Sequence, residues 1–155
     1  KAYRKSLAKD DTPYTGPVSL VRGLQVSVDT INAIGIETVW ARTAALAKAV
    51  RAAAPKLGMR VFSQQPSDSV TGLLYPDGVD DGLRKLLETK YGASIAGGQE
   101  HLKGKLCRIS HMGYVDPLDT VGLVAALEWA LAESGAKVQS GAAVAAATQA
   151  LQEWA

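Results

Sequence analysis

The first third of the chain carries an amphipathic pattern, in which apolar residues recur at alternating spacings of three and four. The members of this stripe are Val21, Leu24, Val28 and Ile31. Pro17 suits the first position of the helix, because its missing N–H is not needed there, and Gly35 suits a left-handed C-terminal cap. A second helical run carries Val39, Leu46 and Val50 and ends at Pro55 and Gly58. The two runs predict a helical hairpin.

From Arg60 onward, short β-branched or apolar runs alternate with turn residues, a pattern typical of strands. It predicts strands at 61–63, 69–75, 93–96 and 106–110. Between them, Leu83, Leu86, Leu87 and Tyr91 occupy one face of a short helix that Gly92 stops.

Two helices are predicted after the last strand. Asp116, Pro117 and Asp119 combine an N-cap acid, a first-turn proline and an acid at the third helical position, and the helix should run to Gly135. Ser140 is a candidate cap for a final helix with Val144, Ala147, Leu151 and Trp154 on one face. The order ααββαββαα predicts an α+β fold with a small, mainly antiparallel sheet covered by helices. Residues 1–155 are expected to form one domain, with no linker.

Composition narrows the classes of partner. The 155 residues are 47% apolar, and the 17 Lys and Arg against 15 Asp and Glu give a net charge of +2, without the basic cluster that a nucleic-acid binder needs. No apolar run approaches the roughly 18 residues of a membrane span, and the N-terminus lacks a signal-peptide core. One cysteine and two histidines ten residues apart are poor metal ligands. We therefore expect a cytoplasmic protein without nucleic-acid, membrane or metal binding, and the absence of an initial Met indicates processing or a fragment.

Catalytic motifs of free-standing enzymes are missing. The sequence has no nucleophile elbow, no zinc-protease motif and no phosphate-binding loop of the Gly-x-x-x-x-Gly-Lys type. Cys107 with His101 or His111 is conceivable as a nucleophile pair. A buried structural cysteine is the favoured interpretation, because Cys107 sits in an apolar strand.

Arg108 is an unusual residue for a strand that is otherwise mainly apolar. Alternation places Leu106, Arg108 and Ser110 on one face of their strand and Cys107 and Ile109 on the other. If the face that carries Arg108 is covered, its guanidinium needs an anion, and a carboxylate matches its planar fork. An internal salt bridge, or an edge strand with the arginine in water, is the alternative.

Two other segments are candidate anion sites. Thr12 and Thr15 flank Pro13-Tyr14 ahead of a helix N-terminus, where hydroxyls and free N–H groups favour a phosphate; ordinary N-capping by Thr15 is the alternative. Gly97-Gly98, with Lys103-Gly104-Lys105 behind it, is either an anion-binding loop or a mobile hairpin connection, and we favour the latter.

An ordered set of segments resembles the C-terminal part of class V pyridoxal-phosphate aminotransferases, especially the alanine–glyoxylate and serine–pyruvate branch. The resemblance runs from about residue 10 to residue 135. The chain departs from the family at Thr43, where His is usual, and at Ser110, where Gly is usual. The segments that carry it are Thr12-Pro13-Tyr14-Thr15, Gly35-Ile36-Glu37, Trp40-Ala41-Arg42, Ile95-Ala96-Gly97-Gly98-Gln99, Lys103-Gly104-Lys105 and Arg108-Ile109-Ser110-His111-Met112-Gly113.

The resemblance implies a function that this chain performs only as part of a longer enzyme. In such enzymes a large N-terminal domain holds the Schiff-base lysine, a role that the resemblance does not give to Lys1. Arg108 matches the arginine that binds the substrate α-carboxylate. Thr15, and with less support Thr12, match the segment that reaches the cofactor phosphate of the other subunit in a homodimer.

The resemblance therefore implies a C-terminal small domain of a transaminase that uses pyridoxal 5'-phosphate, inactive when isolated. The whole enzyme would exchange an amino group between alanine or serine and glyoxylate or pyruvate. Two alternatives are a stand-alone module that binds a small carboxylate at Arg108, and a structural subunit, since some relatives have been described as subunits of a soluble hydrogenase.

Overall fold

A computed structural model describes residues 2–152, which fall into two compact units divided after Val39. The first unit is Lys1–Val39 and the second is Trp40–Ala155. The sequence predicted one domain over 1–155, and the division lies inside a helix rather than in a linker.

The first unit consists of helix α1 (Ala2–Leu7), helix α2 (Val18–Ile34) and the beginning of helix α3 (Ile36–Ala53). Helix α1 was not predicted. Pro17 is the N-cap residue of α2 rather than its first helical residue, and no side chain caps this end. Gly35 ends α2 with φ +91°, a conformation that favours glycine, and its N–H donates to the carbonyl of Ile31.

Helix α2 leaves its apolar stripe open. None of its residues, 18–34, is buried, and Val21 and Leu24 are 57% and 62% exposed. The two predicted helices are both present, with Gly35 between them, and the predicted hairpin arrangement stays a prediction.

The second unit contains the remainder of α3 and the elements that follow it. Helix α3 passes into a turn of 3-10 helix (Ala54–Leu57), and Gly58 ends it at φ +68°. The remaining elements are β1 (Arg60–Val61), β2 (Val70–Leu74), α4 (Gly82–Tyr91), β3 (Ala96–Gly97), a 3-10 turn (Glu100–Leu102), β4 (Leu106–Ser110), α5 (Pro117–Glu133) and α6 (Ala142–Gln152).

The strands form a sheet of order β1-β2-β4-β3, and each neighbouring pair is antiparallel. In the register of β2 and β4, Thr71 lies opposite Ile109 and Leu73 opposite Cys107. These four residues are buried and share the face that helices cover. The predicted α+β fold, with a small antiparallel sheet and covering helices, is confirmed.

The core lies between this face of the sheet and helices α3 to α6. Its fully buried members include Leu46, Leu57, Leu83, Leu87, Leu127 and Leu131, which have 0–1% exposure. Alanines fill the contacts of α5 and α6, where Ala130, Ala143 and Ala147 are 0% exposed. These small side chains let the two helices approach closely. The burial of each core leucine side chain contributes about 2 kcal/mol to the free energy of folding.

The predicted start of α5 agrees with the structure, because the residues that cap it are close together in the sequence. Asp116 and Asp119 form a capping box at the start of α5, with Pro117 in the first turn, as predicted. The third strand, in contrast, is Ala96–Gly97 rather than 93–96.

The cap of α6 comes from a distant residue. Glu128, 2% exposed on α5, accepts hydrogen bonds from the backbone N–H groups of Gly141 and Ala143. Ser140 was the predicted cap, and a side chain from the neighbouring helix takes its place. Trp154, predicted on the face of α6, lies outside the described residues. Among the helices of 2–152, none is long and apolar enough to cross a membrane.

The open stripe of α2 predicts self-association of the 155-residue chain, because water-exposed apolar patches promote contacts between molecules. Sedimentation velocity should show a sedimentation coefficient that rises with concentration. Leu24→Lys combined with Val28→Lys should suppress this rise. Gln25→Lys with Asn32→Lys, on exposed polar positions of the same helix, is the control. A wild-type chain that stays monomeric at high concentration contradicts the prediction.

Candidate carboxylate site

Arg108 lies in the middle of an interior strand, on the face of the sheet opposite the core. Strand β4 is paired with β2 on one side and β3 on the other, so the predicted alternative of an edge strand is wrong. The residue opposite Arg108 on β2 is Gly72, and the one on β3 is Ala96. A glycine and an alanine leave space beside the long arginine side chain.

The guanidinium of Arg108 is held at one nitrogen only. Its Nε donates to the carbonyl oxygen of Gly97 at 2.8 Å. Within residues 2–152, no carboxylate lies within salt-bridge distance of Arg108, so the alternative of an internal salt bridge is not seen. The side chain is half-buried and its terminal nitrogens have no protein partner in the described part of the chain. This arrangement leaves a charged fork available for an anion.

Arg108 lines a cleft of about 590 Å³ on this face of the sheet. Phe62, Val70 and Leu106 supply apolar walls, and Ser67, Gln99 and His101 supply polar groups. A small anion with a short side chain suits such a cleft, because the arginine recognises the charge and the apolar walls accept the rest.

The Gly97-Gly98 segment beside Arg108 is a packed structure. A Cβ atom on Gly98 would lie 2.1 Å from the carbonyl oxygen of Leu102, and one on Gly97 would lie 2.9 Å from Cζ of Arg84. Gly97 belongs to β3, and the N–H of Gly98 donates to Leu106. Gly98 is therefore confined by the backbone of Leu102, and Gly97 lies against the guanidinium of Arg84. The mobility of this connection stays a prediction.

A second arginine packs on the helix side of β3. Arg84 donates from Nε to Oδ1 of Asp81 at 2.7 Å, pairs through Nη2 with Oδ2, and donates from Nη1 to the carbonyl of Ile95 at 3.3 Å. Its guanidinium lowers the pKa of Asp81 through these hydrogen bonds. Tyr75 donates to the same carboxylate at 3.1 Å, and burial, followed by the nearby anionic groups, raises the tyrosine's pKa.

Comparison with known proteins shows relatives over nearly the whole chain. A protein named soluble hydrogenase, small subunit, of Synechococcus is 38% identical over 153 residues, 96% of this chain and 40% of its own length. An uncharacterised aminotransferase of Methanocaldococcus jannaschii is 40% identical, over 93% of this chain and 39% of its own. A serine–glyoxylate aminotransferase of Methylorubrum extorquens is 35% identical, over 91% and 36%. No family model matches the chain.

Among solved structures, the pyridoxamine–pyruvate aminotransferase of Mesorhizobium loti superposes on this chain with a TM-score of 0.87 at 35% identity, covering 92% of this chain and 38% of that enzyme. The chain is homologous to a domain of the class V aminotransferases. It spans about 40% of the length of the curated relatives that it matches.

The predicted cofactor-binding residues of this chain lie in its first unit. Thr12 and Thr15 are exposed in the segment that leads to α2. The hydroxyl of Thr12 donates to the carbonyl of Tyr14 at 2.6 Å, whereas that of Thr15 has no partner among the described residues. Thr15 is not the N-cap of α2, so the capping alternative for Thr15 is wrong. Arg108 lies in the second unit.

The cysteine of this chain is a buried core residue. Cys107 is fully buried on the helix side of β4, and this burial raises the pKa of its thiol to about 12. His101 is exposed in the 3-10 turn, and Nε2 of His111 lies 2.8 Å from Oγ1 of Thr71. A nucleophilic Cys–His pair is therefore not formed. Nor do residues 2–152 bring three metal-ligating side chains together.

His111 belongs to a buried polar network at the end of β4. Its partner Thr71 also accepts from Nε of Arg51 at 3.3 Å, and Arg51 pairs with Asp68 at 3.0 Å. Burial lowers the pKa of His111 to about 4, and the positive charge of Arg51 acts in the same direction. His111 is consequently neutral at pH 7 and fixes the strand end next to Arg108.

The expectations from the sequence pointed to Arg108 but not to the ion pair of Asp81 and Arg84 beside Gly97. Asp81 and Arg84 are three positions apart, which is a spacing that places two side chains together on a helix surface. That spacing predicts an ion pair between Asp81 and Arg84. The contact of Arg84 with Gly97, however, joins elements that the sequence does not show to be neighbours.

The lowered pKa of His111 predicts a pH-dependent stability. In the unfolded chain this histidine takes up a proton near its ordinary pKa of 6.5, and in the folded chain only near 4. The free energy of unfolding should therefore fall as the pH drops from 6.5 to 4, by up to about 3 kcal/mol, and then stop changing on this account. Urea unfolding at pH 7 and pH 4.5 measures the effect.

The two histidines provide matched variants for this measurement. His111→Gln should remove most of the pH dependence in this interval, and His101→Gln should keep it, because His101 is exposed. Equal pH dependence in wild type and His111→Gln contradicts the assignment.

Proposed function

We propose that residues 1–155 are the C-terminal small domain of a pyridoxal-phosphate-dependent aminotransferase. The enzyme exchanges an amino group between a small amino acid, alanine or serine, and a small 2-oxo acid, glyoxylate or pyruvate. The observation that carries the proposal is the half-buried Arg108, tied at Nε and open at its fork in a cleft of a domain homologous to aminotransferases. The name of the relative in Methylorubrum extorquens, serine–glyoxylate aminotransferase, supports the substrate class.

Arg108 binds the α-carboxylate of the amino acid and of the 2-oxo acid. Both substrates carry this group, so one arginine serves both half-reactions. Two parallel N–H···O bonds fix the plane of the carboxylate, and this orients the bond at Cα that reacts. The apolar walls at Phe62 and Leu106 take short side chains.

The residues of this chain fit a contact to the cofactor phosphate. The Thr15 hydroxyl is without a partner in the described segment, and the start of α2 has no side-chain cap, so Thr15 and nearby N–H groups are able to bind a phosphate. Thr12 is committed to Tyr14 and contributes through the shape of the segment. Bound pyridoxal phosphate supplies an electron sink for the reacting Cα.

The Schiff-base lysine belongs to a large domain that the rest of the protein supplies, because this chain spans only about 40% of its relatives. Thr15 reaches the cofactor phosphate of the partner subunit in a homodimer. Isolated, the chain is inactive. We place the enzyme in the cytoplasm, and no helix in residues 2–152 could span a membrane.

A structural role is the second candidate function. The relative in Synechococcus is named as a small subunit of soluble hydrogenase, which favours a subunit without transaminase turnover. Amino-transfer activity of the full-length protein distinguishes the two candidates.

Arg108→Ala in the full-length protein should lower kcat/KM for the amino acid by about two to four powers of ten, since each lost charge-assisted bond is worth roughly 1.5–3 kcal/mol. Arg108→Lys should restore only part, because an ammonium lacks the planar fork. Half-reaction kinetics and cofactor absorbance measure binding and cofactor content separately. Unchanged substrate affinity together with a lowered melting temperature would make Arg108 a structural residue.

The isolated 155-residue chain should form no specific covalent adduct with pyridoxal phosphate, because the lysine that does so lies in the large domain. The measurement is borohydride reduction after mixing, followed by peptide mapping. The full-length protein is the positive control. One specifically labelled lysine together with turnover in the isolated chain would contradict the proposal that the large domain supplies the Schiff-base lysine.

A further inference from the structure

Gly97 lies between two arginines that belong to opposite sides of the sheet. Its carbonyl oxygen accepts from Nε of Arg108 at 2.8 Å. Its Cα is covered by the guanidinium of Arg84, because a Cβ placed there would lie 2.9 Å from Nε and Cζ and 3.0 Å from Nη2 of Arg84. The position of the Gly97 carbonyl, which accepts the hydrogen bond from Arg108, thus depends on the packing of β3 against Arg84.

Arg84 is itself fixed. Asp81 takes hydrogen bonds from its Nε and Nη2, and the carbonyl of Ile95 takes one from Nη1. Tyr75 holds the Asp81 carboxylate from another direction at 3.1 Å. All three guanidinium nitrogens are in use, so this side chain cannot swing away freely.

Arg108 needs such support. A free arginine side chain has many rotamers, and a fork that is not held in advance loses that conformational entropy when it binds a carboxylate. The single bond from Nε to Gly97 restricts the side chain while the two Nη groups stay available. The position of the Gly97 carbonyl therefore decides how well the fork is aimed.

We propose that Asp81 and Arg84 are positioning residues for substrate binding, acting through the backbone of Gly97 on Arg108. This inference rests on the proposed carboxylate-binding role of Arg108. Neither residue lines the cleft that Arg108 lines, so both act at a distance from substrate. A side chain at position 97 would press on the Arg84 guanidinium, which hydrogen bonds to Asp81 and to the Ile95 carbonyl hold in place.

Three substitutions in the full-length protein test this. Asp81→Asn and Arg84→Lys release the support, and Gly97→Ala forces Arg84 and β3 apart. Each should raise the KM for the amino acid and the dissociation constant of propanoate, measured by calorimetry, by about three- to tenfold, with kcat within about twofold of wild type. Propanoate has the carboxylate without the amino group, so its affinity reports the fork alone.

The chain contains matched controls. Glu133 accepts from Lys90 and Tyr91 much as Asp81 accepts from Arg84 and Tyr75, so Glu133→Gln removes a comparable charge elsewhere. Gly122→Ala places a Cβ in helix α5 where no atom lies within 4 Å. Both controls should leave KM and the affinity for propanoate unchanged.

A double variant makes the route testable. If Gly97→Ala weakens binding by displacing Arg84, then Arg84→Ala removes the side chain that is displaced. The double variant Gly97→Ala with Arg84→Ala should therefore bind propanoate with the affinity of Arg84→Ala alone. Additive losses would overturn the route through Gly97.

Arg108→Ala is the reference that separates the two proposals. Loss of propanoate binding in Arg108→Ala, with wild-type affinity in the Asp81, Arg84 and Gly97 variants, overturns the positioning role alone. Retention of propanoate binding in Arg108→Ala overturns the proposed function itself. A lowered melting temperature with unchanged KM in the three variants makes the network structural and also overturns the positioning role.

Discussion

The antiparallel pairing of β2 with β4 is the constraint on which the rest of the second unit depends. Its register puts Thr71 and Leu73 with Cys107 and Ile109 on the face toward the helices. The same register puts Gly72 opposite Arg108 on the other face. A shift of one residue would drive the arginine into the core and the apolar residues into the cleft, so burial of the core fixes the arginine at the cleft.

Arginines in this unit have different partners, and the partners of Arg108 support the carboxylate-binding role proposed for it. Arg51 pairs with Asp68, and Arg84 pairs with Asp81. Arg108 has a backbone carbonyl as its partner, and within the described residues no acid opposes its charge. A half-buried guanidinium without a counter-ion is costly unless an anion from outside completes it, and a carboxylate substrate is such an anion.

The first unit has the opposite character, since its long helix buries none of its residues 18–34 and leaves an apolar stripe in water. In the full-length aminotransferase that we propose, this stripe packs against the large domain, which supplies the partner surface.

Sequence alone determined those features that are governed by neighbours along the chain. Alternation over 106–110 predicted β4 with its correct ends and the separate faces of Cys107 and Arg108, because a strand has a period of two. The capping box at Asp116 and Asp119 and the stop at Gly92 are likewise local chemistry. Only the tertiary structure decided which strands flank β4, that Glu128 rather than Ser140 caps α6, and that Gly97 and Gly98 pack against Arg84 and Leu102. Those outcomes depend on contacts between residues distant in sequence, such as Arg84 on Gly97, whose energies no local pattern contains.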